Sequence, residues 1–374
     1  MLAGHLARLD FYLPTRRIKY FPPVQTVACY LAIVPTMSSL PDISVVMGVY
    51  NAADNLCETV ESVLSQEGVS LECVVIDDGS TDGTDVILSD YARRDARVRI
   101  LHQENQGLTR ALITGCEVAR GKYIARQDAG DISLPNRLRL QKVVLDQHED
   151  CVFVSCWTTM IGPRDEYLFA HRGRGHASSP LHILSKREEK WVVIDGPTSH
   201  PSVMFRREAY VRAGGYRAAF YYAQDWDLWY RLAALGTFAM VGQYLYQSRI
   251  TPDSISSLRR DQQVAYARLA HKAITLRLAG HSDDAIVEEA ERLLPRNPHA
   301  IRRSDQGRAM YFIGKGLLDN NDPRATRYFL NAICSTPFLF RAWWSAPLSL
   351  ARRCSNRLLS KHKRTSANAV PHDR

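Results

Sequence analysis

Four short clusters carry the side chains that chemistry needs. In AQDWDLWYRL (223–232), Asp225 starts a helical pattern beside Trp226, Leu228 and Trp229. Apolar neighbours raise a carboxyl pKa and make it a usable general base, whereas a lone Asp there also serves as a helix cap. RQDAGDISLPNRL (126–138) places Asp128 and Asp131 between a strand-like run and a helix opened by Pro135. Two such carboxylates can converge on a divalent cation, Mn²⁺ or Mg²⁺, that neutralises a diphosphate, or simply decorate a helix N-terminus because the dipole favours acids. DDGSTDGT (77–84) holds Asp77 and Asp78 at a glycine turn. It lacks the G-K-[ST] of a phosphate loop, and Ser89 stands where a calcium loop needs its final Glu. It reads equally as an Asx-rich turn with Asp82 as N-cap or as an acceptor for a base or ribose. In GVYN (48–51), Tyr50 can stack on a base and Asn51 can cap the following helix.

These clusters need elements that deliver them to one edge. From residue 42 the chain alternates β-rich and helical runs, the pattern of βαβ units around a mainly parallel sheet. ISVVMGV (43–49), LECVVID (71–77), RVRILHQ (97–103) and GKYIARQD (121–128) read as strands; 53–67, 82–95, 108–120 and a segment ending near His148 read as helices. Each cluster lies at or just beyond a strand C-terminus, where open α/β sheets bind ligands. After Cys151 the order loosens, and 162–200, rich in His, Gly, Pro, Ser and Arg, reads as a long loop over the sheet edge. Regular structure is expected again at 202–216 and 225–236, and helices from about 255. A helix-turn-helix hairpin at 310–337 is similar to a single tetratricopeptide unit, and one copy is better read as a helix pair packed on the main domain.

In this order and spacing the chain resembles the family 2 glycosyltransferases of the nucleotide-sugar-binding GT-A fold. The likeness runs from Ile43 to about Ser256, through YN, SVLSQ (62–66), VVIDDGSTDGT (74–84), ENQGL (104–108), GKYIARQDAGDISLPNRL (121–138), HPSVMFRR (200–207), GGY (214–216), QDWDLW (224–229) and RITPDSIS (249–256). It implies a Rossmann-like αβα sandwich followed by a helical region, and an enzyme that inverts the anomeric centre in one in-line displacement. Under that resemblance Tyr50 and Asp78 hold the nucleotide base, with Val49 and Asn51 in the same donor pocket. Asp128 matches the first acid of the family's D-x-D metal motif, and Asp225 the carboxylate that deprotonates the acceptor hydroxyl. The expected donor is a UDP-sugar, and the acceptor a glycan or lipid-linked acceptor in cell-surface polysaccharide synthesis.

Two departures stand out. Gly130 replaces the second acid of D-x-D, leaving Asp131 to take over as metal ligand, Asp128 to act through water, or Arg126, Arg249 or His200 to supply cationic charge. Gln224 replaces the acid before the base, which removes a like charge beside Asp225. A nucleotidyltransferase would need a Gly/Arg/Lys-rich loop after the first strand, where this chain has VYNAADN. A silent nucleotide-sugar-binding or scaffold protein is the alternative from another class.

Composition bounds the rest. With 374 residues, 45% apolar, the chain is globular in composition. Its net charge of +9 belongs to the ends: residues 1–40 hold four Lys/Arg against one Asp and 341–374 hold eight against one, leaving the body one charge negative. Nucleic-acid binding is therefore not expected. No run reaches the roughly 18 apolar residues that span a bilayer, and the eight Cys form neither a disulfide framework nor a zinc pattern, so a cytoplasmic setting, peripheral on the inner membrane face, is expected. The ends divide from the body as a 1–40 extension, possible to start instead at Met37; a 41–256 transferase domain; a 257–340 helical region; and a 341–374 basic tail. Trp343, Trp344 and the leucines of that tail suit either an anionic membrane surface or solvent.

Overall fold

The computed structural model describes residues 40–173, 184–187, 190–193, 196–254, 259–295 and 303–350. The 1–39 extension and the tail beyond 350 lie outside them, as do parts of 162–200 and of RITPDSIS. The chain divides between Ser39 and Leu40.

The first half follows the sequence pattern closely. Strands β1 (Ile43–Val49), β2 (Leu71–Asp77), β3 (Val98–His102) and β4 (Tyr123–Arg126) alternate with helices α1 (Leu56–Leu64), α2 (Thr84–Arg94) and α3 (Leu108–Val118). Strand β2 is buried along its whole length and β1 nearly so, because a parallel sheet is covered on both faces and tolerates continuous apolar runs. Helix α1 buries Leu56, Thr59, Val60 and Val63, the i, i+3, i+4, i+7 stripe of a helix lying on a sheet. These strands pair in parallel in the order β3-β2-β1-β4.

The second half is mixed. After β5 (Ile132–Ser133) and α4 (Arg137–Gln147) come β6 (Cys151–Ile161), β7 (Tyr167–His171), a separate hairpin β8–β9 (Leu184–Arg187, Lys190–Val193), β10 (Met204–Arg206), α5 (Arg207–Arg212), α6 (Gln224–Ala233) and β11 (Thr237–Arg249). Strand β10 enters antiparallel between β4 and β6, β11 runs parallel to β6, and β5 and β7 pair antiparallel with β11 and β6. The expected loop at 162–200 thus contains three strands. Neither β6 nor β11 was anticipated: β6 buries Ser155 and Thr158, polar residues that mask a strand pattern. They are satisfied by Ser202 Oγ (2.7 Å) and Thr198 Oγ1 (2.7 Å). Pro135 also falls outside the first turn it was expected to open; Asn136, at φ +67°, holds the N-cap position of α4 without a side-chain cap bond.

One core layer lies on the α1 and α4 side of the sheet, with Val60, Leu88, Leu138 and Leu145. The other lies on the α3, α5 and α6 side and incorporates α7 (Arg260–Leu278) through Tyr266, Ala270, Ala273 and Ile274. Then follow α8 (Asp284–Arg292), the hairpin α9 (Arg303–Asp319) and α10 (Ala325–Ser335), and helical residues 340–350. The hairpin is the helix pair packed on the main domain that the sequence suggested: Leu168 of β7 and Ile250 share a cluster with Ile313, Leu317 and Phe329. A Cβ on Gly314 would stand 2.9 Å from the Phe329 ring, so glycine there lets the two helices close.

Candidate active site

The C-terminal edge of the parallel strands is laced together by its own polar side chains. At the end of β1, Asn51 (φ +48°) receives the Thr81 N–H on Oδ1 at 2.8 Å and donates its own N–H to Ser80 Oγ at 3.0 Å. It therefore ties two loops and caps no helix; α1 is preceded by Asn55 without a side-chain cap. Val49 is buried beneath, and its carbonyl accepts the Asp78 N–H at 2.8 Å. Tyr50 stands at the surface, 43% exposed.

The acids of DDGSTDGT spend their oxygens on loops. Asp78, 3% exposed, accepts Gln103 Nε2 (2.6 Å) and the N–H of Gln106 (2.9 Å) and of Gly107 (2.8 Å). Asp77 accepts the Ser80 N–H and lies 3.1 Å from His102 Nδ1. Asp82 accepts the Thr84 N–H and hydroxyl and the Ala53 N–H, with Gly83 in the cap position. The turn is Asx-rich as expected, but Gly83 and not Asp82 holds the N-cap position of α2, and Asp78 fastens the 103–107 loop.

At the end of β4 the turn 128–131 is equally fixed. Arg126 is fully buried; it donates to the Val46 and Gln127 carbonyls and, at 2.5 Å, to Asp128 Oδ1. Tyr246 on β11 receives the Asp128 N–H on its hydroxyl at 3.2 Å, and Thr59 Oγ1 receives the Gly130 N–H at 2.9 Å. Gly130 has φ +91°, a conformation L side chains rarely adopt. Arg249 lies against it: its Nε donates to the Gly130 carbonyl (2.7 Å), and its guanidinium pairs with Asp165 (2.6 Å) and Glu58 (3.0 Å).

Asp131 does not face the site: it is buried, takes the Arg249 N–H at 2.7 Å, and leaves Oδ2 without a partner. Burial, reinforced by Asp128, pushes its pKa up to about 8, so at neutral pH it is chiefly the neutral acid. Asp128 is already paired with a guanidinium, Gly130 offers only backbone, and no cluster of three ligating side chains occurs among the described residues. Asp131, expected as a second ligand, is thus engaged by the β11 backbone, while Asp128 keeps a partly exposed carboxylate. Two of the three candidate cations are also corrected. Arg126 points inward beneath Asp128 and is a positioning residue. His200, whose Nε2 lies 2.7 Å from the Tyr216 hydroxyl, is held well below the usual imidazole pKa, first by burial and then by Arg126, and is neutral.

Opposite this turn stands Asp225, in the first turn of α6. Its Oδ1 accepts the Trp226 N–H at 2.9 Å, and Trp226, Trp229 and Tyr230 form a continuous aromatic layer with centroids 5.1 and 5.6 Å apart. Burial raises its pKa to about 6, with Asp128 adding to the rise, while the Trp226 N–H and Arg126 oppose it. Asp225, Asp128, Arg126 and His200 thus share one electrostatic environment. Behind α6, Asp227 is clamped by Arg217 and Arg231, and Arg217 reaches Asp283 before α8 at 2.6 Å, which fixes the helix that carries Asp225.

The sequence did not disclose Glu58, Asp165 or Tyr246. They come from three distant segments and acquire a role only when β5 and β11 pair. The tyrosine alone left a trace, as an aromatic within a β-rich run.

The sequence model of Glycosyl transferase family 2 matches residues 44–212. Over 200 residues the chain is 35% identical to EpsE of Bacillus subtilis (strain 168), named as a glycosyltransferase; the match covers 52% of this chain and 68% of that protein. The chain belongs to glycosyl transferase family 2. It is also 41% identical over 106 residues to the succinoglycan biosynthesis protein ExoO of Rhizobium meliloti (strain 1021), covering 28% of this chain and 30% of ExoO. Among solved structures, Staphylococcus aureus TarS 1–349 in complex with UDP aligns with 82% of this transferase and 88% of its own chain, at 15% identity and a TM-score of 0.46. The family and the sheet order together make the fold GT-A: a Rossmann-like parallel half continued by mixed strands that carry the turn at 128–131.

Proposed function

We propose that the transferase is an inverting enzyme that moves a sugar from a nucleotide-sugar donor, a UDP-sugar, to a hydroxyl of a glycan or lipid-linked acceptor in cell-surface polysaccharide synthesis, on the cytoplasmic side. The observation that carries this reading is Asp225 in the first turn of α6, where burial raises the carboxyl pKa to about 6 within the field of Asp128 and Arg126. At pH 7 it is mostly ionised yet basic enough to accept a proton. It takes the proton of an acceptor hydroxyl as that oxygen bonds to the anomeric carbon. The bond from carbon to the diphosphate oxygen breaks on the opposite face, and its electron pair leaves with the nucleoside diphosphate.

On the donor side, Tyr50 and the loops held by Asn51 and Asp78 receive the base, and Asp128, oriented by Arg126, accepts a hydrogen bond from a donor hydroxyl. Arg249 is the candidate cation that borders Gly130; it is buried and paired with the exposed carboxylates of Asp165 and Glu58, and we assign it the charge of the leaving diphosphate in place of a metal, on exchange of those partners for the phosphates. The polysaccharide setting is supported by family membership and by the printed role of ExoO.

Calorimetric titration with UDP-sugars, with Mn²⁺, Mg²⁺ or a chelator, followed by assay of donor hydrolysis, tests the reading. One nucleotide-sugar is expected to bind equally with and without metal, and its slow hydrolysis to disappear in Asp225→Asn. Gly130 favours the competing reading of a silent nucleotide-sugar binder; binding with no turnover by wild type or variant across donors would establish it.

A further inference from the structure

The helical residues 340–350 meet the rest of the protein through small side chains. Ala342, Ala346 and Ser349 are buried, Ser349 Oγ lies 2.6 Å from Thr326 Oγ1 on α10, and Ala346 joins the cluster around Phe329. The outward face carries the large ones. Phe340, Trp344 and Leu348 follow one another at i, i+4 and i+8 and are 70%, 82% and 49% exposed; Trp343 flanks them at 53%, and Phe338, just before the helix, is 83% exposed. A helix on a water-facing surface keeps its apolar stripe inward. This one turns its bulk outward. Single exposed apolar side chains are ordinary, but a contiguous row of this kind marks an interaction surface.

Charge selects the occupant. Arg341 lies within the helix, and the sequence that follows contains Arg352, Arg353, Arg357, Lys361, Lys363 and Arg364, with Asp373 the only acid. A second copy of the chain would bring the same positive charge to the contact. Anionic headgroups complement it, and Trp favours the boundary between headgroup and acyl chain. No described helix is long and apolar enough to cross a membrane, which leaves an in-plane arrangement.

We propose that residues 338–350 dock the transferase on an anionic lipid bilayer, with Phe340, Trp343, Trp344 and Leu348 inserted and Arg341 at the headgroups. This goes beyond the donor chemistry and holds whichever sugar is transferred.

Co-sedimentation of the full chain with vesicles tests it. Wild type should bind vesicles of equal phosphatidylglycerol and phosphatidylcholine at least about tenfold more tightly than phosphatidylcholine alone, and less tightly at high salt. Trp343→Ser/Trp344→Ser should lose at least about tenfold in affinity for the anionic vesicles. Phe340→Ser/Leu348→Ser, which leaves the bond from Trp343 Nε1 to the Pro337 carbonyl intact, should do the same. Both should keep the wild-type melting temperature and nucleotide binding. Variants that bind vesicles as wild type does, a wild type without preference for anionic lipid, or one that binds no vesicle would overturn the proposal. So would a wild-type dimer in light scattering that the variants dissociate, which would assign the face to a second copy.

Discussion

Asp128 and Asp225 stand across one site, yet the chain prepares them differently. Asp128 belongs to a turn held by ion pairs and hydrogen bonds from every side: Arg126 on its carboxylate, Tyr246 on its amide, Thr59 and Arg249 on Gly130. Asp225 meets only backbone N–H groups close by and is buried in the first turn of a helix that carries Trp226, Trp229 and Tyr230. The polar turn fixes a position, while burial adjusts a proton affinity. Binding a donor needs the first and activating a hydroxyl needs the second, and neither environment would serve the other task.

If the division holds, the two sides fail in different ways. The largest effect belongs to Asp225→Asn, expected to slow transfer about 10³-fold, the scale of a lost general base, with donor affinity within about twofold by calorimetry. A comparable loss of affinity would show that the two sides are not separate. Asp128→Ala should do the reverse, weakening donor binding at least about tenfold. It should also destabilise the fold by about 1–2 kcal/mol by leaving a buried guanidinium unpaired; the cost stays below that of a fully buried pair because the Asp128 side chain is 34% exposed. A smaller effect is the pH profile. Transfer should rise through about pH 6 as Asp225 ionises and level off above it, falling about tenfold per unit on the acid side. Gly130→Ala should cost about 1–2 kcal/mol in chemical denaturation, because its φ of +91° strains any side chain.

Asp131→Asn should have the least effect on catalysis, and its signature is the pH dependence of melting. The native state keeps the Asp131 proton up to about pH 8 while the unfolded chain releases it near 4. Stability is therefore lost as pH rises between those values. The asparagine variant lacks that loss, so its melting temperature should gain on wild type from pH 5 to pH 8. A constant difference would mean that Asp131 is ionised and that the turn is open to a cation after all.

Much of this was legible in the sequence, for physical reasons that differ by element. Strands β1 and β2 lie in a doubly covered parallel sheet, so their apolar runs coincide with their structural bounds. Asp225 and Asp128 were legible because strand and helix ends deliver them along the chain. Strand β6 was not, since Ser155 and Thr158 are buried through partners more than 35 residues away. Asp131 reads the same as Asp128 in one dimension. Only the β11 backbone, which supplies the Arg249 N–H, turns it inward.

Strand β7 closes the side of the sheet that β6 leaves open. Asn320 of the helical hairpin donates its amide to the Leu168 carbonyl at 2.6 Å, and Gly316 lets α9 press against Leu168. An uncovered strand edge recruits strands from other molecules. The hairpin packs along that edge, so a recombinant form cut near residue 300, which keeps Asp128 and Asp225, is expected in inclusion bodies.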